Sequence, residues 1–303
     1  MKKLAPFFII LSAMLWGVDG IVFRPFLYSL PVDLVVFLES LLVSILLIPF
    51  VRIYRNELKN LTKSEIINFI GIAAFGGAIG TMAITKALFY VNYVNLSVVI
   101  LIQKFQPLFA ISLAAILLKE KLDKMFFIWA ILALFGSYML TFGFSFPDFT
   151  SQSKTIIATL FSLLAAFSFG FSTVLSKRGI SSVSFQTATI LRFYITSILM
   201  LAITLFTGNL SEIVNVSQNQ ILIFLSIAFS TGGLAIIFYY IGLKYVKASD
   251  ATILELAFPV TAIVLDYLIH GNFLAIPQLI GGTILVIAIL QITRSYGNSE
   301  LKK

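Results

Sequence analysis

A chain of 303 residues in which 59% are hydrophobic and only 11% charged, with a mean hydropathy of +1.03, is too apolar to fold as a soluble domain; it is an integral membrane protein. The absence of cysteine excludes disulfides, thiolate metal ligands and cysteine nucleophiles. A net charge of +8 would suit nucleic acid, but the basic residues fall between hydrophobic runs rather than along one face of a soluble domain, so they read as orientation signals and no nucleic-acid partner is expected.

Crossing about 30 Å of hydrocarbon at about 1.5 Å per residue takes about 20 apolar residues. Ten such runs occur, at 4–23, 33–51, 66–85, 93–118, 125–145, 155–176, 185–206, 219–240, 250–270 and 274–293, joined by connections too short to hold a soluble domain. The first follows Lys2 and Lys3 as the apolar core of a signal peptide does, yet it is too long and lacks a small-x-small cleavage site, so a retained helix is expected. Of the 21 basic residues, sixteen fall at the two ends and in alternate loops, among them Arg52, Arg55, Lys119, Lys124, Lys177, Arg178, Lys244 and Lys247. Arg24, Lys86 and Lys154 fall on the opposite side, and Lys104 and Arg192 lie within spans. Because cytoplasmic loops keep the positive excess, both termini are expected on the cytoplasmic side of the inner membrane.

Polar residues inside the runs are few. The first run carries Trp16, deep enough to line a pocket for a ring-bearing or apolar substrate, and Asp19 toward its outer end. Glu39 follows in the second run, and Lys86 stands at the outer end of the third, where an ion pair with Asp19 would close an external gate. The small residues "GGAIG" at 76–80, with Gly232-Gly233 and Gly281-Gly282 further on, permit close helix approach. Tyr90 and Tyr93 fit either an aromatic belt at the interface or the wall of a pocket.

The fourth run holds "ILIQKFQPLF" at 100–109. Lys104 sits there near the bilayer centre, where a lysine costs roughly 2.5–3.5 kcal/mol; adding Asp19, Arg192 and Glu255 brings the sum to on the order of 10 kcal/mol, so none of them can face lipid bare. Two readings are open. Lys104 either pairs with Glu39, Asp19 or Glu255 to hold helices together, or faces a water-filled cavity and meets an anionic substrate group, with Gln103 and Gln106 offering amide donors and acceptors on an adjoining face. Pro107 breaks the helix beside these side chains, and Pro259 does the same near Glu255. Glu255 itself is either a cavity ligand or a residue snorkelling to the cytoplasmic interface, and an Arg192–Glu255 pair is geometrically allowed. Tyr239 and Tyr240 are further candidates for an aromatic wall. Glu120 and Lys121 close the fourth run, where loop capping is expected, and His270 is expected at the interface.

The two halves of the chain repeat. "MLWGVDGIVFR" from Met14 aligns with "AFSFGFSTVLSK" from Ala166 when Gly17 is set on Gly170, and the same register places Glu39 on Arg192. "LFYV" at Leu88 matches "LKYV" at Leu243, and a three-residue gap then pairs Pro107 with Pro259, Gln103 with Glu255 and Glu120 with Asn272. Each unit holds five spans, an odd number, so the second copy enters the membrane from the opposite side. Inverted repeats of this kind belong to secondary transporters, whose substrate sits near the midplane between halves that rock around it.

These residues carry a family resemblance. With "MLWG" at 14–17, "KFQPLFAISLAAILLKEKL" at 104–122 and "LKYVKASDATILELAFPVTAIV" at 243–264, the chain resembles the EamA-type family of the drug/metabolite transporter superfamily along nearly its whole length. Two departures stand out: Asn272 where such repeats usually repeat Glu120, and Arg192 opposite Glu39. The resemblance implies an all-α polytopic membrane protein of ten transmembrane helices, arranged as two inverted-topology five-helix repeats, 1–146 and 147–303. It further implies export or import of small organic metabolites, amino acids prominent among them; the residues do not encode a direction, and export is the expectation.

The expected partners are a small-molecule substrate and the lipid bilayer, with the chain acting as a monomer or homodimer and no cofactor or metal required. An intramembrane enzyme is the main rival reading, but HExxH, GxSxG, P-loop and Rossmann patterns are missing, and a single histidine cannot build a histidine-ligated metal site. A channel-like facilitator is the other rival; no ring of like charge or filter-like carbonyl run supports it.

Overall fold

The computed structural model describes residues 2–90, 99, 102–145, 153–270 and 274–298, with the backbone alone considered at 153–155, 266, 270 and 295–298. Among these residues there are helices and turns and no strand. In chain order the α-helices are α1 (Ala5–Val18), α2 (Val32–Leu46), α3 (Ile48–Ile53), α4 (Arg55–Lys59), α5 (Lys63–Ile72), α6 (Gly80–Tyr90), α7 (Gln106–Leu117), α8 (Lys124–Phe142), α9 (Ser153–Gly179), α10 (Phe185–Thr207), α11 (Gln218–Ile227), α12 (Gly233–Leu243), α13 (Ala248–Leu254), α14 (Ala257–His270) and α15 (Ile276–Asn298). Their starts follow local chemistry. Thr62 and Ser217 open α5 and α11 through reciprocal capping boxes with Glu65 and Gln220, while Asp123 and Ser184 cap α8 and α10. Gly208, at φ +77°, ends α10 in a left-handed conformation that suits glycine.

Eight helical stretches among the described residues are long and apolar enough to cross a membrane: Lys2–Leu27, Lys63–Tyr90, Lys124–Phe142, Ile156–Gly179, Phe185–Thr207, Gln218–Leu243, Ala248–Ile269 and Ile276–Arg294. This is a multi-pass membrane protein. The stretches fall on eight of the ten expected runs. The run at 33–51 is interrupted at Leu47, ahead of Pro49, and divides into α2 and α3. The run at 93–118 lies partly outside the described residues, which include Gln106–Leu117 as a shorter apolar helix. Tyr93 and Asn272 also lie outside the described residues, as do the side chains of Lys154 and His270.

The largest buried cluster draws on the whole length of the chain, with Ile9, Phe69, Phe193, Tyr240, Leu254 and Leu285 among its members. Three of the long stretches are not uniformly α-helical. Each contains one widened, π-helical segment, at Asp19–Phe23, Ala73–Ile79 and Ala228–Gly232. The last two start at equivalent places when Leu88 is set on Leu243. Widened turns take an extra residue into the helix and re-aim the side chains around them.

Glycine sets the closest helix contacts. A Cβ on Gly17 would lie 2.9 Å from Thr261 Cβ and 3.0 Å from the Phe258 carbonyl oxygen of α14. A Cβ on Gly170 would lie 3.0 Å from both Ala110 N and the Gln106 carbonyl oxygen of α7. So the glycines aligned in sequence make the same contact in reverse: the early helix of each half packs on the helix that follows the proline-marked break of the other.

Two acidic residues join loops to helix starts across the chain. Glu57 accepts hydrogen bonds from Ser184 N and Ser184 Oγ, both at 2.6 Å, and from Thr187 Oγ1 at the start of α10. Burial raises its carboxyl pKa, but the hydrogen bonds from Ser184 and Thr187 outweigh that and hold it below the usual range. Glu120 accepts from Ala248 N (2.8 Å), Ser249 N (3.1 Å) and Ser249 Oγ (2.6 Å), capping α13.

Candidate functional site

The helix breaks and widened turns converge on one cavity of about 300 Å³, at the small end of ligand pockets. Residues from early and late in the chain share its lining: Trp16, Glu39 and Gln106 from the early part, Arg192, Tyr239 and Glu255 from the late part. Gln103, Lys104, Asp19, Pro107 and Pro259 also contribute. Lys86, expected at a gate, is absent from this lining; it is exposed, with its Nζ 5.0 Å from the centre of the Phe161 ring.

One wall is built around Arg24. The widened turn after α1 brings this residue back over Asp19, and its Nε and Nη2 lie 2.8 and 2.7 Å from Asp19 Oδ2. Nη2 also lies 3.2 Å from Glu39 Oε1, and Nη1 donates to Thr85 Oγ1 at 3.0 Å. Thr231, in the widened turn before α12, donates to Asp19 Oδ1 at 3.3 Å. One guanidinium thus ties α1, α2 and α6 together beside the later half. The Asp19–Lys86 gate considered from the sequence does not form, because Arg24 occupies Asp19 and Lys86 points elsewhere. Hydropathy and charge counting give Arg24 no such role; the signal in the sequence is its place five residues after Asp19, the spacing that a widened turn brings onto one face.

A second cluster centres on Glu255. The chain turns at Glu255–Leu256 between α13 and α14, and at Lys104–Phe105 just before α7, with Pro259 and Pro107 shortly after each turn. Proline lacks the N–H that would close the helix there, which fixes both breaks. Glu255 Oε2 accepts from Gln106 Nε2 at 2.6 Å, and Oε1 accepts from Tyr239 OH at 2.7 Å. Tyr239 OH is also 2.9 Å from Thr173 Oγ1, and the Trp16 and Tyr239 rings are tilted with centroids 5.4 Å apart. The Arg192–Glu255 ion pair does not form. Arg192 instead donates to the Gly76 carbonyl oxygen at 3.3 Å and reaches Tyr240 OH at 3.5 Å. Tyr240 is fully buried in the core, and Tyr90 stacks on Phe161 at 5.9 Å, so neither lines the cavity.

Lys104 pairs with no carboxylate among the described residues. Its Nζ donates to the Ser137 carbonyl oxygen at 2.9 Å and to Thr141 Oγ1 at 2.5 Å, both on α8. Thr141 Oγ1 also donates to the Ser137 oxygen, so removing the lysine orphans no acceptor. Lys104→Met is therefore expected to change stability by less than about 1 kcal/mol, as read from thermal unfolding in detergent. A larger loss would assign Lys104 to holding helices together. Among the described residues no three His, Asp or Glu side chains gather in a way that would hold a metal ion.

A family model described as the EamA-like transporter family matches residues 3–142 and, a second time, residues 156–294. The chain belongs to the EamA-like transporter family. This EamA-like transporter is 46% identical over 285 residues to the riboflavin transporter ImpX of Fusobacterium nucleatum subsp. nucleatum, covering 94% of this chain and 95% of that protein. It is also 24% identical over 238 residues to an uncharacterized transporter of Clostridium kluyveri, covering 78% of this chain and 76% of that one. A protein known from a crystal structure superposes on 100% of this chain and 99% of its own with a TM-score of 0.72 at 17% identity, a likeness of fold alone. Within the family fold, the cavity lies where the two matched segments meet: α1, α2 and α7 come from the first, and α10, α12 and α14 from the second.

Proposed function

We propose that this chain carries riboflavin, or a closely related flavin, across the membrane by alternating access. The observation that carries the reading is 46% identity, over 94% of the chain, to a protein named a riboflavin transporter. The cavity adds a physical reason. Its ionisable lining is Asp19, Glu39 and Glu255 against Arg24, Lys104 and Arg192, three of each sign, which suits a substrate without net charge. Riboflavin is such a molecule at neutral pH, and the Trp16–Tyr239 pair offers an aromatic surface to its flat ring. Flavin thereby takes the place of the amino acids implied by the family resemblance.

The carrier in this reading has ten spans, made of two inverted five-helix halves, 1–146 and 147–303, with both termini cytoplasmic. The double match of the family model supports the division, as do the reciprocal glycine contacts and the paired widened turns. Gln106 and Glu255, one from each half, would let a bound substrate bridge the parts that must move. An enzymatic role draws no support from the relatives, both of which are named as transporters.

Thermal unfolding of the purified protein tests the substrate. A ligand at 100 times its dissociation constant adds about 2.7 kcal/mol to stability. Riboflavin is expected to raise the unfolding temperature while a panel of amino acids leaves it unchanged; the reverse pattern would overturn the flavin assignment.

A further inference from the structure

Given the flavin reading of the cavity, on which this inference rests, we propose that Glu255 and Gln106 read the N–H and C=O edge of a cyclic imide, the pyrimidinedione end of the flavin, while Trp16 lies along the ring's face. Each carboxylate oxygen of Glu255 already accepts one hydrogen bond, from Gln106 Nε2 at 2.6 Å and from Tyr239 OH at 2.7 Å. A carboxylate has about four acceptor sites in all, so acceptor capacity remains after these two. Gln106 uses one N–H on Glu255 and keeps a second N–H together with its carbonyl. An open carboxylate site next to an amide N–H is an acceptor beside a donor. Its complement is a donor beside an acceptor held in one plane, which is what the N3–H and flanking carbonyls of a pyrimidinedione present.

A polyol chain also offers hydroxyls to a carboxylate, but the surroundings favour the ring. Tyr239 is 4% exposed, its hydroxyl is fixed between Thr173 and Glu255, and its ring stands 5.4 Å from that of Trp16. A group hydrogen-bonded to Glu255 therefore lies against an aromatic wall, where a planar heterocycle gains more contact than a flexible chain. Gln106 and Glu255 stand at the two helix breaks, so an imide seated against both side chains touches both halves at once.

Flavin fluorescence, which is quenched when the ring stacks on tryptophan, provides the test. Riboflavin, N3-methylriboflavin and lumiflavin, which lacks the ribityl chain, are titrated with the full-length protein in detergent. Lumiflavin is expected to bind nearly as well as riboflavin, and N3-methylriboflavin at least about tenfold more weakly, since it loses a hydrogen bond to a charged acceptor. Glu255→Gln is expected to weaken riboflavin roughly tenfold and to leave N3-methylriboflavin unchanged; the ligand series needs no variant, so a poorly folding mutant does not remove the test. Equal binding of riboflavin and N3-methylriboflavin overturns the imide assignment while keeping the flavin reading. Loss of lumiflavin alone also overturns it, and places the ribityl hydroxyls on Glu255. Failure to bind any of the three overturns both.

Discussion

Arg24→Met is expected to destabilise the protein by about 3–5 kcal/mol, the range for removing one partner of a buried ion pair. The side chains involved are largely shielded, with 9% exposure for Arg24, 13% for Asp19 and 12% for Glu39. Without the guanidinium, two carboxylates face each other in a low-dielectric setting, and the Thr85 link is lost as well. Methionine keeps the apolar stem but not the guanidinium, and has no hydrogen-bond demand of its own, so the loss combines the orphaned acids with the space the guanidinium leaves. A second change separates charge from packing. Arg24→Met combined with Asp19→Asn and Glu39→Gln is expected to recover most of the loss, because neutral amides need no counter-ion. Thermal unfolding of the purified variants in detergent reads both outcomes, and a single variant as stable as the wild type would show that the cluster holds nothing together.

The glycine contacts are the second large effect. Gly17→Val and Gly170→Val are each expected to cost about 3 kcal/mol or more, because the added Cβ alone meets neighbouring atoms at 2.9–3.0 Å, backbone among them. Relief requires α14 or α7 to move away, and those helices follow the breaks that carry Glu255 and Gln106. Both variants are therefore expected to weaken substrate binding along with stability. Gly20→Ala is the control: its nearest neighbour would be Phe258 at 3.8 Å, an ordinary contact, and its unfolding temperature is expected to stay close to wild type. Equal behaviour of Gly17→Val and Gly20→Ala would remove the packing argument.

Much of this architecture is written in the sequence, because hydrophobic run length reflects bilayer thickness and proline marks where a helix must break. Eight runs coincide with long apolar helices, and Pro107 and Pro259 stand just after the observed turns. The Gly17–Gly170 alignment foreshadows a contact that no hydropathy pattern contains. Partners were harder to read. Arg24 was counted as an outer-side charge, and only the widened turn at Asp19–Phe23, which has no periodic signature, folds it onto Asp19 and Glu39. For Lys104 the sequence leaves open a carboxylate partner or a cavity role; a backbone carbonyl and a hydroxyl hold it, and neither is distinctive in a sequence. Arg192 and Glu255 are both at the cavity, but Arg192 donates to the Gly76 carbonyl oxygen while Glu255 accepts from Gln106 and Tyr239, and the two do not pair. Substrate chemistry lies deeper still, since aromatic and amide residues such as Trp16 and Gln106 serve many ligands until their relative positions are known.

Counterflow in proteoliposomes puts the central claim, a saturable flavin carrier with its site between two halves, to the most direct trial. Vesicles preloaded with unlabelled riboflavin are expected to accumulate labelled riboflavin transiently above its equilibrium level. The uptake should saturate, fall sharply in Trp16→Ala, and persist in Lys86→Ala, whose side chain lies outside the cavity. Label entering preloaded and empty vesicles at the same rate, or an exchange driven by amino acids and not by riboflavin, would contradict it.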